Sequence, residues 1–179
     1  GWVRSNSLAT ESAMREILEL RRENEELKQK LKLTAVSAPP ETADLCQGDD
    51  IIDVTLICKV YRSNSYDAKY MHHDVQTTWN SIFTVMSPHM TIECTENNMK
   101  KVIVEHLISL AKEELLEIKK EKKYSDINNI DILNEDFQKI KIQFKALGLI
   151  VISSKNHSVN DTNKYWSLTD YGDYIMTQL

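Results

Sequence analysis

The segment 14–33 constrains the fold most, because its apolar residues recur at alternating spacings of three and four. Leucine at heptad position d favours two-stranded coiled coils, and a single asparagine at position a costs stability while it fixes register and parallel orientation. The segment is therefore predicted to form one strand of a short parallel homodimer. The predicted seam consists of Ile17, Asn24 and Leu31 at position a, with Leu20 and Leu27 at position d.

Charged residues flank this seam in a complementary order. Glu16 and Glu23 fall at position g, and Arg21 and Lys28 fall at position e. Each glutamate would therefore face a cation at the following e position of the second chain. The seam is only about three heptads long, and an isolated helix of that length is marginal in water. The alternative is an amphipathic helix that docks on its own domain with Asn24 facing solvent.

Composition narrows the class of protein. A chain of 179 residues with only four glycines and three prolines suggests one or two small, helix-rich domains. A net charge of −5 argues against non-specific coating of nucleic acid or membrane. Three cysteines without CxxC spacing predict reduced, buried thiols in a cytoplasmic protein. No apolar run reaches the roughly 18 residues of a membrane span, and no signal peptide is visible, so no membrane partner is expected.

The first half of the chain divides at changes in periodicity. Thr10 is predicted to cap a helix that ends near Leu33, which makes residues 1–33 a dimerisation helix. Residues 34–50 lack apolar periodicity and contain serine, proline and glycine, which indicates a linker. Residues 51–179 are assigned to the second domain. It opens with period-two alternation over 51–61, a polar turn and a second strand over 66–71, which together predict a β-hairpin.

Helical periodicity dominates the following segments. Residues 76–86 repeat at spacings of three and four, with Trp79, Ile82, Phe83 and Met86 on one face. Thr95 is predicted to cap one long helix over 96–120, whose apolar stripe includes His106 and Leu110. Residues 124–131 are predicted to be a polar break between helices. The stripe of the next helix is Phe137, Ile140, Phe144 and Leu147.

The last third combines a helix with two short strands. Asn134 is predicted to cap the helix, and Gly148 stands at its C-cap. An apolar strand over 149–153, a polar loop over 155–164, a strand over 165–168 and a closing helix from Thr169 or Asp170 follow.

The segments FKALGLIVISS and KYWSLTDYGDYIM resemble the C-terminal end of winged helix-turn-helix domains, notably those of bacterial regulators of the multiple-antibiotic-resistance type. In this resemblance Leu147 and Leu149 bracket the corner between helix and strand, Leu168 returns from the wing, and Gly172 lets the last helix pack closely. The predicted fold is α+β and mostly helical. It comprises an N-terminal coiled-coil helix, a linker, a β-hairpin and a winged helix-turn-helix domain.

A longer resemblance takes in the whole chain. GWVRSN, the Leu/Glu/Lys helix, the hairpin, TTWNSIF and IKIQFKALGLI resemble the C-terminal half of a bacterial family of unknown function. Members of that family begin with a predicted Toll/interleukin-1-receptor-like or nucleotide-related domain and are suspected of roles in antiviral (anti-phage) defence or signalling. The resemblance implies that such an N-terminal domain of the same protein precedes Gly1 and is a partner of this part.

The residues do not form a convincing catalytic or metal site. His72 and His73 are adjacent, and neighbours on a strand point to opposite faces, whereas a metal needs at least three converging ligands. His106 lies on an apolar stripe and reads as a hydrogen-bonded core residue. There is no GxSxG, Walker A or GxGxxG pattern. The chain is therefore predicted to be no enzyme, with no catalytic residues, no metal and no cofactor.

DNA binding is the competing function. In a winged helix the segment 134–147 would enter the major groove. This segment and the wing together carry a slight positive charge. They contain no arginine, which is the usual bidentate hydrogen-bond donor to guanine. We predict a non-catalytic homodimerisation or scaffolding module that acts through protein–protein interaction; the alternative is a sequence-specific DNA-binding regulator. The candidate DNA contacts of this alternative are Gln138, Lys139, Lys141, Gln143 and Lys145 on the helix, with Lys155, Asn156, His157 and Lys164 in the wing.

Overall fold

A computed structural model of the chain describes residues 6–62, 68–155, 157–158 and 160–179, with the side chains of 6–10 and 32 left out. The fold is α+β and divides into two compact units between Ser37 and Ala38. No helix in these ranges is long and apolar enough to cross a membrane. In chain order the elements are α1 (Asn6–Ala35), β1 (Ile51–Arg62), β2 (Lys69–Thr78), α2 (Trp79–Met86), β3 (Cys94–Thr95), α3 (Glu96–Leu110), α4 (Lys112–Glu121), β4 (Tyr124–Ile132), α5 (Asn134–Ala146), β5 (Ile150–Ile152), β6 (Tyr165–Leu168) and α6 (Asp170–Met176).

The described part of the first unit is one helix. The described part of α1 is already helical at Asn6, so the N-cap predicted at Thr10 is wrong, because the leucine and alanine before Thr10 continue the helix. At the other end the hydroxyl of Thr34 donates to the Lys30 carbonyl (2.9 Å) and that of Ser37 to the Leu33 carbonyl (3.1 Å). The Leu33 carbonyl is one of those that a helix end leaves without an amide partner, because the Ser37 amide donates to Thr34 instead.

Residues 38–50 belong to the second unit, although the sequence predicted a linker there. The backbone amide of Asn80 donates to the Gly48 carbonyl (2.8 Å), and the side-chain amide of Gln143 donates to the Cys46 carbonyl (2.6 Å). Backbone carbonyls thus attach the segment to α2 and α5. Such attachment leaves no apolar periodicity in the sequence, which is why the pattern suggested a linker.

The first sheet is antiparallel, with strand order β2–β1–β4. β2 extends to Thr78, well beyond the strand predicted over 66–71, whose first residues lie outside the described ranges, as does most of the predicted turn. The apolar half of the β1 alternation is buried, as its period-two pattern predicts: Ile52, Val54, Leu56, Cys58 and Val60.

The strand β4 shows that the polar break predicted over 124–131 is wrong. β4 pairs with β1 in a register that shifts between Ile57 and Lys59, and Asn129 has a φ of 45°. A shifted register interrupts the strict alternation of polar and apolar residues. Of the isoleucines in β4 only Ile132 is fully buried, so the sequence carried no clear strand period.

The helices α2 and α3 begin at threonine caps and pack on the core. Thr78 and Thr95 each accept a hydrogen bond from a backbone amide in the first turn, and the apolar face predicted for α2 is buried. The single helix predicted over 96–120 breaks at Ala111 into α3 and α4. Leu110, placed on the buried stripe by its spacing, is 48% exposed at this break.

The predicted succession of helix, glycine, strand, loop, strand and helix is present in the last third. β3, β6 and β5 form a second antiparallel sheet in that order. Gly148 has a φ of 70°, and its amide and that of Leu149 donate to the carbonyls of Lys145 (3.0 Å) and Phe144 (2.9 Å), which is a Schellman motif. A Cβ at Gly172 would overlap the carbonyl oxygen of Leu149, so glycine permits the close packing of α6.

One hydrophobic core serves both sheets and the helices of the second unit. Phe144 is fully buried in this core, and its ring centroid lies 5.6 Å from that of Trp79 and 5.3 Å from that of Phe83. Cys58 and Cys94 are free and buried as predicted, whereas Cys46 is exposed because it lies in the surface segment before β1.

Candidate functional site

The predicted dimer seam forms a stripe along α1. Because the described part of this unit is a single helix, the unit offers no second surface to cover the stripe. α1 is longer than the predicted seam, but the next d positions at its two ends hold only Ala13 and Thr34. They add no large apolar side chain to the seam. Asn24 is exposed between the leucines. The exposed fractions are 50% for Ile17, 58% for Leu20, 51% for Leu27 and 69% for Leu31.

The charges beside the seam are exposed as well. In the described part of α1, one ion pair is present, between Arg22 and Glu26 (3.1 Å), and it lies away from the seam. The four charges predicted to pair across the seam are thus available for a second chain. They are Glu16, Arg21, Glu23 and Lys28.

Lys141 is not available as a nucleic-acid contact, contrary to the prediction. It is 6% exposed, and its Nζ lies 2.6 Å from Oε1 of Glu96. The ammonium group also lies 5.0 Å from the ring centroid of Phe137 and 5.6 Å from that of Trp166. Position 141 follows Phe137 by four residues, so both side chains are on the same face of α5. A phosphate could reach this cation only after the ion pair had broken.

Glu96 holds three elements together at this point. Its Oε1 accepts hydrogen bonds from Lys141 on α5 and from the indole of Trp166 on β6 (3.0 Å). Partial burial disfavours the charged carboxylate, but these two hydrogen bonds and the charge of Lys164 outweigh it and hold the pKa of Glu96 below its usual value. The cluster is a structural junction between α3, α5 and β6.

The other predicted contacts are only partly available. The side chain of Gln138 is half-buried, and that of Gln143 is bonded to the Cys46 carbonyl, as described above. Asn156 lies outside the described residues. The exposed lysines of the predicted set are Lys139 and Lys145 on α5, with Lys155 and Lys164 between β5 and β6.

The first turn of α5 is held against β1. The backbone amide of Leu133 donates to the Thr55 carbonyl (2.8 Å), and the Thr55 amide donates to Oδ2 of Asp136 (2.8 Å). Asn134 is already helical, and the cap position is Leu133 without a side-chain hydrogen bond, so the cap predicted at Asn134 is wrong. Recognition helices present their N-terminal residues to base edges. In this protein a strand lies at that end.

Carboxylates accompany the cations of the loop between β5 and β6. The His157 ring stacks on Tyr165 with centroids 3.8 Å apart, and its Nε2 lies 3.5 Å from Oε2 of Glu93. The Tyr165 hydroxyl donates to Asp161 (2.7 Å), and this hydrogen bond lowers the pKa of Asp161. These ionised carboxylates weaken the positive field of the loop near a phosphate backbone.

The histidines of β2 point to opposite faces, as predicted. His72 is exposed, while His73 is directed inward with Nε2 3.1 Å from Oε2 of Glu114. Throughout the described ranges, no group of three His, Cys, Asp or Glu side chains converges as a metal site would need.

His106 on α3 is hydrogen-bonded, as its place on an apolar stripe predicted, but its partner, a serine on α2, was not anticipated from the sequence. Ser81 Oγ lies 2.8 Å from Nε2 of His106, 25 positions apart in the chain, and burial lowers the pKa of His106. A catalytic base of this type is normally oriented by a third group, and among the described residues no hydrogen bond reaches Nδ1 of His106. We therefore interpret the contact as the hydrogen bond of a half-buried histidine.

Comparisons of the chain with protein-family models, with characterised proteins and with solved structures gave no match.

Proposed function

We propose that this chain is a non-catalytic homodimerisation module in which two copies of α1 form a parallel coiled coil. The exposed seam carries the proposal. Burying a leucine or isoleucine side chain contributes about 1.5–3 kcal/mol, and one helix cannot bury its own stripe. A second copy of α1 supplies the complementary surface at every position of the seam.

Asn24 supports the parallel orientation. In a parallel pair the two Asn24 amides lie side by side and can hydrogen-bond to each other. In an antiparallel pair each amide would face a leucine and lose its partner in an apolar seam, which costs about 1–3 kcal/mol per group. The charges at e and g agree, since Glu16 would face Arg21 and Glu23 would face Lys28 of the second chain.

We propose further that 79–179 is a variant winged-helix domain. Two antiparallel strands joined by a polar loop directly follow α5, and β3 pairs with the second of them. In a helix-turn-helix the two helices are joined by a turn of about three or four residues. Here α4 and β4 stand between α3 and α5. The domain would thus use the scaffold with an insertion that pairs with the first sheet.

The family resemblance extends the role of the dimer. A parallel coiled coil places both N-termini at the same end, so an N-terminal domain on each chain would be brought close to its copy. The module would serve as a scaffold for that domain.

Sedimentation equilibrium of matched leucine variants tests dimerisation. Leu27→Asp places a carboxylate in the seam and should convert the dimer to a monomer. Leu18→Asp introduces the same charge at position b, where the side chain is 64% exposed, and should leave the dimer intact. A monomeric wild-type protein at micromolar concentration would contradict the proposal, as would equal behaviour of the two variants.

Binding to duplex DNA tests the competing function, which four exposed lysines favour. We expect no sequence-specific binding by the unmodified protein at physiological salt, because Lys141 is paired internally and β1 lies at the N-terminal end of α5. A regulator would bind tightly, and replacing the exposed lysines by alanine would flatten its salt dependence by about one unit per lost phosphate contact. That result would establish the DNA-binding alternative. The substitutions to be tested are Lys139→Ala, Lys145→Ala, Lys155→Ala and Lys164→Ala.

A further inference from the structure

We propose that the outer edge of β2 pairs antiparallel with β2 of the second copy in the dimer, so that the first sheet continues from one copy into the other. β2 is an edge strand, because in the order β2–β1–β4 it pairs with β1 alone. The inference rests on the proposed coiled coil, which would hold two copies at the high effective concentration that a weak second contact needs.

β2 lacks most of the features that protect sheet edges. Native proteins protect an edge strand by short length, bulges, proline or charged side chains. The outer strands of the second sheet, β3 and β5, have two and three residues, and β4 has register shifts and a positive φ at Asn129. β2 has ten residues, contains no proline and pairs with β1 without a register shift. Of the edge strands that the structure describes, β2 is therefore the one that is long and regular enough to accept another strand.

The backbone of every second β2 residue points away from β1. In an antiparallel pair, residues whose amide and carbonyl bond to the partner strand alternate with residues whose groups point outward. Thr55 lies opposite Asp74, and its amide and carbonyl bond instead to Asp136 (2.8 Å) and Leu133 (2.8 Å) on the far side of β1. Asp74 therefore directs its own amide and carbonyl outward. The same alternation turns outward the backbone groups of the residues two and four positions away, which are Tyr70, His72, Gln76 and Thr78.

A two-fold register centred on His73 makes two β2 strands complementary. In this register His72 of each copy lies opposite Asp74 of the other, and Tyr70 lies opposite Gln76. The side chains of His72 and Asp74 are exposed, so the imidazole N–H can donate to the carboxylate across the pair. A register centred on Asp74 would place two carboxylates opposite each other, which is unfavourable. The charges of β2 thus select one register and do not prevent pairing.

The core face of β2 is compatible with the same register. Met71 would lie opposite Val75, and Lys69 would face a neutral threonine. The two His73 side chains would meet at the two-fold axis. Each imidazole lies 3.1 Å from the carboxylate of Glu114 in its own chain, which would offset repulsion between protonated rings.

Amide hydrogen exchange of the full chain, followed by NMR, tests the pairing without any substitution. A free edge predicts alternation along β2: the amides bonded to β1 are protected, and those of Tyr70, His72, Asp74 and Gln76 exchange freely. In a paired edge both sets must open before they exchange, so we expect the four outer amides to be protected to within about tenfold of the odd-numbered amides between them. Alternating protection would overturn the proposal.

Single cysteines test the register. Two residues at position 73 would form a non-hydrogen-bonded pair with Cα atoms about 4.5 Å apart, within the range that a disulfide spans. In a Cys46→Ser background, which removes the exposed native thiol, His73→Cys should therefore give a disulfide-linked dimer under mild oxidation. Gln76→Cys is the control on the same strand and is more exposed, but its two copies would be about 20 Å apart and should not cross-link. Equal cross-linking of both variants, or none at position 73, would overturn the proposal.

These measurements distinguish failure of the β2 pair from failure of the coiled coil. A wild-type dimer with freely exchanging outer amides would contradict the β2 pair alone and leave that edge to the strand of another protein. A Leu27→Asp protein that stays dimeric and whose His73→Cys form cross-links would contradict the seam and support the β2 pair. A monomeric wild type with free outer amides would contradict both. Both contacts are two-fold and can close within one dimer, so species that grow beyond the dimer would also overturn the proposal.

Discussion

The ammonium group of Lys141 is buried because groups from three other positions surround it. Glu96 pairs with it from α3, and the ring centroids of Phe137 and Trp166 lie 5.0 Å and 5.6 Å from it. A lysine is almost never buried without a partner, and this partner is 45 positions away in the chain. Helical spacing could place Lys141 near Phe137, but it could not reveal Glu96.

Removal of this cation should destabilise the second unit. Lys141→Ala leaves the partly buried carboxylate of Glu96 without its strongest partner, and the free energy of unfolding should fall by about 1–3 kcal/mol. Lys139→Ala, at an exposed position of the same helix, should change it by less than about 0.5 kcal/mol. Urea titrations of both variants measure the difference. Equal losses would mean that the pair contributes nothing to stability.

The same pair should make stability depend on pH in acid. Because the pKa of Glu96 is lowered in the folded protein, its stabilisation is complete above the ordinary glutamate pKa of about 4.3 and is lost as the pH falls through the lower folded-state value. The stability difference between wild type and Glu96→Gln should therefore shrink on acidification. A difference that is constant from neutral to strongly acidic pH would contradict the assignment.

Among the elements, α5 shows how far periodicity carries a prediction. Its apolar stripe is buried as the spacing predicts, and Gly148 ends the helix at the expected position. Its other faces are less regular, since Gln143 bonds to Cys46 and Ile142 is exposed. Helical periodicity does not predict whether a surface glutamine or isoleucine is covered, because the segments that cover it are distant in the chain.

The stripe of α5 can be tested with one buried and one exposed apolar residue. Phe144→Ala removes a ring that contacts Trp79 and Phe83 and should cost about 3–5 kcal/mol. Ile142→Ala removes an exposed side chain and should cost less than about 0.5 kcal/mol. Thermal or urea unfolding compares them. Similar small losses would show that the buried face of α5 has been assigned wrongly.

For the whole molecule the decisive question is assembly, and Asn24 tests its specificity. Asn24→Leu places leucine or isoleucine at every a and d position from Ile17 to Leu31, which strengthens the seam but relaxes the choice of strand number. We expect a higher melting temperature together with a mixture of dimers and larger oligomers. Sedimentation velocity and thermal unfolding provide the two measurements. A variant that stays strictly dimeric would show that Asn24 does not select the oligomeric state.

Local chemistry was sufficient for the features that one segment determines by itself. The period of two in β1, the stripes of α2 and α5, the caps Thr95 and Thr169 and the glycines Gly148 and Gly172 could all be predicted. Each depends on neighbours within a turn or a strand, so its signal is in the adjacent residues. The candidate seam of α1 belongs to this group, and the dimer it predicts remains a proposal.

Tertiary structure decided the features that need a distant partner. β4 is a strand because β1 offers an edge, although its shifted register hides the period. The segment before β1 is attached through backbone carbonyls, and Lys141 is buried through Glu96. None of these leaves a local pattern, because the free energy comes from contacts between residues far apart in the chain.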